Sequence, residues 1–193
     1  MKVAITGANS SVGKNLLVRL SKEEDITIVA GVRSEKVIPK LPESPAIKPT
    51  IINYDDIKSL EKALDGADIV IHLAGILIET KHSNYANANI AATAAIVDAA
   101  KKSDVKSIIF ISVVGASPKS RNAYFRSKGI AEELVLSSGL GARILRTPIL
   151  FGPNAAGSQA IIGMISSGQA KVLGGGHYQM RPLDIDDLSE ALT

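Results

Sequence analysis

An α/β fold, a parallel sheet covered by helices on both faces, is predicted for this 193-residue chain by three observations. Short apolar runs alternate with segments of helical spacing along the whole sequence. The run Ala67 to Leu73 is nearly all apolar apart from Asp68, as a central parallel strand buried on both faces must be. The opening residues, MKVAITGANSSVG, read as strand, tight turn, helix.

In that opening unit Val3, Ala4 and Ile5 form an apolar run that stops at Thr6-Gly7. A helical pattern begins around Ser11, with Val12, Leu16, Leu17 and Leu20 on one side. Gly7 lets the chain reverse, and Gly13 lets the new helix press against the strand. Asn9, Ser10 and Ser11 place backbone N–H groups and short polar side chains at a helix N-terminus, where partial positive charge accumulates. A phosphate is the natural occupant. The spelling G-x-x-S-x-x-G departs from the three-glycine dinucleotide fingerprint, and β-α turns need glycine with or without a ligand. The context favours binding: the motif follows a strand, starts a helix, and precedes a second strand that ends at Val32-Arg33.

That second strand is Thr27 to Val32. Arg33 stands twenty positions past Gly13, where an acidic residue would grip the ribose hydroxyls of NAD and an arginine suits a 2′-phosphate. The planar guanidinium matches phosphate, so NADP is the expected cofactor, with NAD possible. The plainer alternative is a solvated arginine after a strand. Residues Pro39 to Pro49 hold four prolines and read as a loop. Strand three is expected at Thr50 to Asn53, then a helix at Ile57 to Leu64 with Asp55 or Asp56 as N-cap, ended by Gly66. Strand four, Ala67 to Leu73, runs into Ala74-Gly75, where small residues let a cofactor lie across the strand ends. An alanine-rich helix follows at Asn84 to Lys102. Strand five is Ser107 to Ser112, and the next helix begins near Asn122 with Tyr124 and Lys128 four apart on one face. Strand six, Ala142 to Arg146, ends at Thr147-Pro148. Beyond it come a helix at Ser158 to Ser167, a short strand at Lys171 to Leu173, a turn at Gly174 to Gly176 and a last helix at Ile185 to Leu192.

Composition narrows the functional classes. At 46% hydrophobic and 21% charged the chain is ordinary globular material, expected to form a single domain over residues 1–193. No apolar run approaches the ~20 residues of a membrane helix, and strand one leaves no room for a leader ahead of it, so a cytoplasmic location is expected. The absence of cysteine excludes disulfides and thiolate metal sites. The net charge of +3 is scattered and aromatics are only 4%, which argues against nucleic acid as a partner. His72 beside aliphatics reads as a packed side chain with satisfied ring nitrogens, and His82 and His177 lack partners at metal spacing. No metal site is expected.

Six motifs in order carry a resemblance. They are Thr6-Gly7-Ala8-Asn9-Ser10-Ser11-Val12-Gly13; Asp68-Ile69-Val70-Ile71-His72-Leu73-Ala74-Gly75; Asn89; Tyr124-Phe125-Arg126-Ser127-Lys128; Arg146-Thr147-Pro148 with Phe151-Gly152-Pro153; and Arg181-Pro182-Leu183-Asp184-Ile185-Asp186-Asp187-Leu188. Together they resemble the short-chain dehydrogenase/reductase superfamily, in its extended and atypical branch, the NAD(P)-dependent epimerase/dehydratase group. Within it the chain is most similar to the subgroup holding the nucleotide-binding accessory subunit of respiratory complex I. The resemblance implies a Rossmann-type doubly wound sheet with a reduced C-terminal substrate region at 151–193. It implies that Gly7, Asn9, Ser10, Ser11, Val12 and Gly13 hold the pyrophosphate, Arg33 the adenosine phosphate and Asn53 the adenine edge. Leu73, Ala74 and Gly75 would line the ribose side, with Asn89 and Pro148 also at the cofactor and Lys128 on the nicotinamide ribose. Tyr124 would exchange a proton with a substrate carbonyl or hydroxyl. A phenol titrates near ~10, so a cation one turn away makes its phenolate accessible.

The chain departs from the pattern in two places. Val114 stands where the family's substrate-polarising Ser or Thr would be, and Ser112 comes two residues early, on the same side of the strand but deeper. Family members commonly continue for roughly another hundred residues, a feature of the resemblance. Two functional classes therefore stand side by side. One is an NADP-dependent oxidoreductase or sugar-nucleotide epimerase/dehydratase-like enzyme acting on an unidentified small molecule. The other is a non-catalytic protein holding the dinucleotide for assembly or redox sensing, with a homodimer or protein-complex partner.

Overall fold

In the computed structural model, residues 1–168, 173–177 and 179–193 are described. Six strands form one parallel sheet: β1 (Lys2–Thr6), β2 (Thr27–Val32), β3 (Ile47–Ile51), β4 (Ile69–His72), β5 (Ser107–Val113) and β6 (Gly141–Thr147), in the spatial order β3-β2-β1-β4-β5-β6. The order reverses direction between β1 and β4, which opens a crevice at the carboxyl ends of those strands. Side-chain alternation divides the core in two. Val3, Ile5, Ile28, Ala30, Val32 and Ile71 face α1 (Ser11–Leu20), while Ala4, Val29, Val70, Ile108 and Phe110 face α2 (Ile57–Leu64), α3 (Ala92–Lys102) and α4 (Ala123–Leu136). This is a Rossmann fold, as the alternation of apolar and helical segments predicts.

Each of the helices α1, α2 and α4 has a side-chain cap at its head. Ser10 accepts from the Gly13 N–H at the head of α1, Asp56 accepts from Lys58 and Ser59 at α2, and Asn122 accepts from Phe125 at α4. Of the two candidate caps at α2, the structure uses Asp56.

Two boundaries move for physical reasons. Strand three lies at Ile47–Ile51, earlier than Thr50 to Asn53, because parallel register against β2 sets Ile47 opposite Ile28 and Pro49 opposite Ala30. β3 is the outermost strand, so a proline without an N–H is tolerated there. The preceding proline-rich stretch also contains a 3-10 turn at Glu35–Lys40. The alanine-rich helix is not uniform: Ala86–Ala91 is wound as a π-helix before α3 begins.

After β6 the chain makes a small second sheet, β7 (Leu150–Phe151) paired with β8 (Leu183–Asp184), with α5 (Ala156–Ser166) between them and α6 (Ile185–Glu190) after them. Gly157 packs α5 against β7, since a Cβ there would lie 2.6 Å from the Leu150 carbonyl oxygen. α6 returns to α1, with Arg19 paired to Glu190 at 3.0 Å. The expected strand at Lys171 to Leu173 begins outside the described residues, and Leu173–Gly176 form a 3-10 turn.

Candidate functional site

A cleft of about 740 Å³ opens over the carboxyl ends of β1, β2 and β4, within the range of sites that hold a small molecule or cofactor. Its floor is the first β-α turn. Gly7 has φ +71°, and a Cβ on it would meet the Ala74 nitrogen at 2.9 Å; at Gly13 a Cβ would lie 2.6 Å from the Gly7 oxygen and 2.7 Å from the Ala8 oxygen. Both glycines are therefore fixed by backbone approach, one toward the exit of β4 and one toward the turn itself. The first turn of α1 leaves the Ser11 and Val12 N–H groups without intrahelical partners, while Ser10 takes the Gly13 N–H at 3.0 Å.

Of the residues expected at the cofactor, Gly7, Asn9, Ser10, Arg33, Asn53, Leu73, Ala74 and Gly75 line this cleft. Ser11, Val12 and Gly13 lie just beneath it in the first turn of α1. Asn89, Lys128 and Pro148 are not part of its lining. Asn53 turns its side-chain oxygen to the Asp55 N–H at 3.1 Å. Arg33 is exposed at the end of β2. Beside it stands Tyr54, which the sequence reading did not single out. Burial pushes its phenol up to about 12, against the opposing influence of the Thr6 hydroxyl and the Arg33 charge. The opposite wall comes from Asn87, Ala88, Ala91 and Ala92, where small side chains on the π-turn and α3 leave room for a ligand.

A chain of buried polar groups runs behind the cleft. The Thr93 hydroxyl donates to the Asn89 carbonyl at 2.6 Å, so it accepts from His72 Nε2–H at 3.1 Å, and His72 Nδ1 accepts from the Thr6 hydroxyl at 2.6 Å. His72 is fully buried and stays neutral because burial, helped by the nearby Lys128 charge, lowers its pKa to about 3. Its role is that of a satisfied core histidine. The Asn89 side chain accepts from the Ile76 N–H at 2.8 Å and donates to Ser127 Oγ at 2.9 Å, and Ser127 donates to the Tyr124 carbonyl at 2.7 Å. The wide π-turn coincides with Asn89 reaching inward to these partners, a common use of such turns. Asn89 thus ties the exit of β4 to the turn of α4 that carries Tyr124.

Tyr124 and Lys128 share a face of α4, packed close to the exit of β5 at Gly129, where a Cβ would lie 2.2 Å from the Ser117 carbonyl carbon. The Tyr124 ring lies 5.7 Å from those of Tyr85 and Phe125. Burial, then the Tyr85 phenol, holds its pKa above the ordinary value. Lys128 is buried, donates to the Ile111 carbonyl at 2.7 Å and sits 3.9 Å above the Phe110 ring. Burial lowers its pKa to about 7, with Glu132 pulling the other way. At neutral pH the site therefore presents a protonated phenol and a lysine near its midpoint.

Ser112 is fully buried, its hydroxyl has no hydrogen-bond partner among the described residues, and it lies on the side of the sheet that Glu132 faces. Burial alone would raise the Glu132 pKa; the Arg146 hydrogen bonds, the neighbouring Ser112 hydroxyl and the Arg146 and Lys128 charges outweigh it and lower the value. Arg146 binds Glu132 through two contacts, at 2.9 and 2.6 Å. Glu132 is four residues past Lys128, a spacing from which the sequence could have nominated it. Val114 is exposed and presents no hydroxyl. Among the described residues no group of His, Asp and Glu side chains could hold a metal, and no helix is long and apolar enough to cross a membrane.

Comparison with known proteins agrees with the cleft. A family model described as NAD(P)H-binding matches residues 7–171. Subunit 9 of the NADH dehydrogenase [ubiquinone] 1 alpha subcomplex of Dictyostelium discoideum is 30% identical over 77% of this chain and 42% of its own length. A ceramide reductase of Caulobacter vibrioides is 26% identical over 78% of this chain and 47% of its own length. The chain thus spans about half the length of the curated relatives it matches, or less. The UDP-glucuronic acid 4-epimerase of Bacillus cereus, solved with UDP-glucuronic acid and NAD, superposes with a TM-score of 0.82 at 21% identity, covering 100% of this chain and 72% of the epimerase. Fold, glycine turn and family match together place this chain in the NAD(P)H-binding family.

Proposed function

We propose that this protein is an NADP(H)-dependent oxidoreductase in which Tyr124 is the proton donor. The turn at Gly7 to Gly13 would receive the pyrophosphate on the free N–H groups of α1, and Arg33 would pair with a 2′-phosphate. Leu73, Ala74 and Gly75 would bed the ribose, and Asn53 and Tyr54 would border the adenine side. When bound, the dinucleotide supplies hydride chemistry. The residues of the chain bind it, exclude water and move the proton.

The observation that carries this reading is the Asn89 link, whose amide joins the exit of β4 through Ser127 to the Tyr124 turn. On this reading cleft and phenol work together, and a dinucleotide lying along β4 would end beside Tyr124. Because burial keeps that phenol protonated, the arrangement favours delivery of a proton to a carbonyl oxygen. Lys128, with its pKa near neutrality, would restore the phenol's proton or bind the nicotinamide ribose. In this reading Ser112, buried on the side that Glu132 faces, supports the packing of α4 on β5.

The test is Tyr124→Phe. NADPH consumption against a panel of sugar nucleotides, carbonyls and quinones should be lost, while NADPH affinity measured by calorimetry stays within about twofold, since no cleft-lining group is removed. An equal loss of both would make Tyr124 structural. The second reading, a protein that binds the dinucleotide for assembly or sensing, is favoured by the hydroxyl missing at Val114 and by the likeness to a complex I subunit. In that case NADPH binds and no member of the panel is consumed.

A further inference from the structure

The region beyond β6 has a charge distribution unlike the rest of the chain. From Thr147 to Met180 the sequence contains one Lys and no Arg, Asp or Glu, in a protein that is 21% charged overall. Helix α5 within it, AGSQAIIGMIS, has no ionisable residue and exposes Ile161, Ile162, Met164 and Ile165. The cations that flank the stretch are Arg146, whose guanidinium is held by Glu132, and Arg181.

This stretch continues an apolar rim around the phenol. Val114, 60% exposed, follows β5, and its N–H donates to the Thr147 carbonyl at 3.0 Å, which sets it beside the start of the uncharged segment. Next to Val114, a Cβ on Gly115 would lie 3.9 Å from the Phe125 ring, which in turn touches Tyr124. Two residues past Thr147, exposed Ile149 accepts from the Leu183 N–H and so joins β8. On the other side Tyr85, packed against Tyr124, donates its hydroxyl to the Leu77 carbonyl at 2.9 Å, and Leu77 and Ile78 are 55% and 72% exposed. The exits of β4, β5 and β6 thus all carry exposed aliphatic residues, and the first two connect to the Tyr124 ring through Tyr85 and Phe125.

We infer that the substrate is an uncharged, aliphatic carbonyl compound whose hydrocarbon chain lies on the rim formed by Leu77, Ile78, Val114 and Ile149. A sugar nucleotide brings a diphosphate whose charges need paired guanidinium or ammonium groups, and the segment that follows β6 supplies almost none. An aliphatic chain would instead remove exposed apolar surface from water. The loss of a hydroxyl at Val114 fits the same substrate, because apolar contact there replaces a polar one. The inference rests on the reading of Tyr124 as proton donor and deepens it.

The experiment measures binding, by ligand-observed NMR and calorimetry, of 2-pentanone, 2-heptanone and 2-nonanone, and of UDP-glucose, with and without saturating NADP⁺. Ketone affinity should rise with length, up to about fourfold per added methylene. It should fall at least tenfold in Val114→Asp, and it should be unchanged in Leu136→Asp, an equally exposed leucine at the far end of α4. Tighter binding of UDP-glucose than of 2-nonanone, affinity that does not rise with chain length, or equal effects of the two aspartates would each overturn the inference. Absence of NADP⁺ binding, read in the same titrations, would instead refute the cofactor reading beneath it.

Discussion

Replacing Gly13 by alanine tests the cradle at its tightest point. A Cβ at that position would lie 2.6 Å from the Gly7 oxygen, 2.7 Å from the Ala8 oxygen and 2.8 Å from the Ala8 carbonyl carbon. Ordinary van der Waals contact needs roughly 3.4 to 4 Å, so α1 must retreat from the turn by the better part of an ångström. All three neighbours are backbone, and no flexible side chain can absorb the change. Overpacking of this kind costs about 1–3 kcal/mol, and at 2–4 °C per kcal/mol for a chain of this size the melting temperature should fall by about 2–12 °C. The retreat also pulls the free N–H groups of Ser11 and Val12 away from a bound phosphate. Loss of one charge-assisted hydrogen bond, about 1.5–3 kcal/mol, weakens NADPH by about 10- to 150-fold. Gly163→Ala is the control: it sits in α5 with nothing within 4 Å of a new Cβ, and alanine there should be neutral or stabilising by up to ~1 kcal/mol. Calorimetry and thermal melts decide. If Gly13→Ala melts with the wild type and binds NADPH equally well, the close approach of α1 to its turn is not what shapes the site.

Arg33→Ala should weaken NADPH by about 1.5–3 kcal/mol and leave NADH nearly unchanged; equal affinities for the two coenzymes in the wild type would remove the 2′-phosphate from the account. Lys128 ties stability to pH. Burial lowers its pKa from 10.5 to about 7, so between those values the unfolded chain binds more protons than the folded one and stability rises with pH. Urea denaturation of wild type against Lys128→Met should show this rise between pH 7 and 10 in the wild type only; parallel curves would place Lys128 in water. Glu132→Gln removes the carboxylate that opposes that shift, so the Lys128 midpoint, followed by NMR of labelled lysine side chains, should move to lower pH, and an unmoved midpoint would detach Glu132 from Lys128.

Much of this molecule could be read from its sequence because the decisive features are local. Strand-turn-helix at Met1 to Gly13, an aspartate cap before Ile57, a helix start near Asn122 and the apolar run into Ala74-Gly75 are each set by residues within one turn of one another. Eight of the residues expected at the cofactor follow the ends of four strands, β1 to β4, that parallel pairing brings together around one cleft. What escaped was set by distant partners. β3 is placed by its register with β2, not by its own prolines. The π-turn at Ala86–Ala91 depends on Asn89 finding Ile76 and Ser127, thirteen and thirty-eight residues away. Tyr54 enters the cleft beside Thr6 and Arg33 although no motif marks it. Ser112 alternates in register with Val114 as expected, and the ion pair that faces its side of the sheet, Glu132 of α4 with the half-exposed Arg146 of β6, joins residues from two separate elements.

The measurement closest to the centre of the account is a crystal structure of the protein soaked with NADPH. The account predicts pyrophosphate density against the N–H groups of Ser11 and Val12, the 2′-phosphate on Arg33, and the nicotinamide beside the Tyr124 hydroxyl. A dinucleotide bound elsewhere, or a nicotinamide directed away from Tyr124 with the Asn89 link intact, would contradict it.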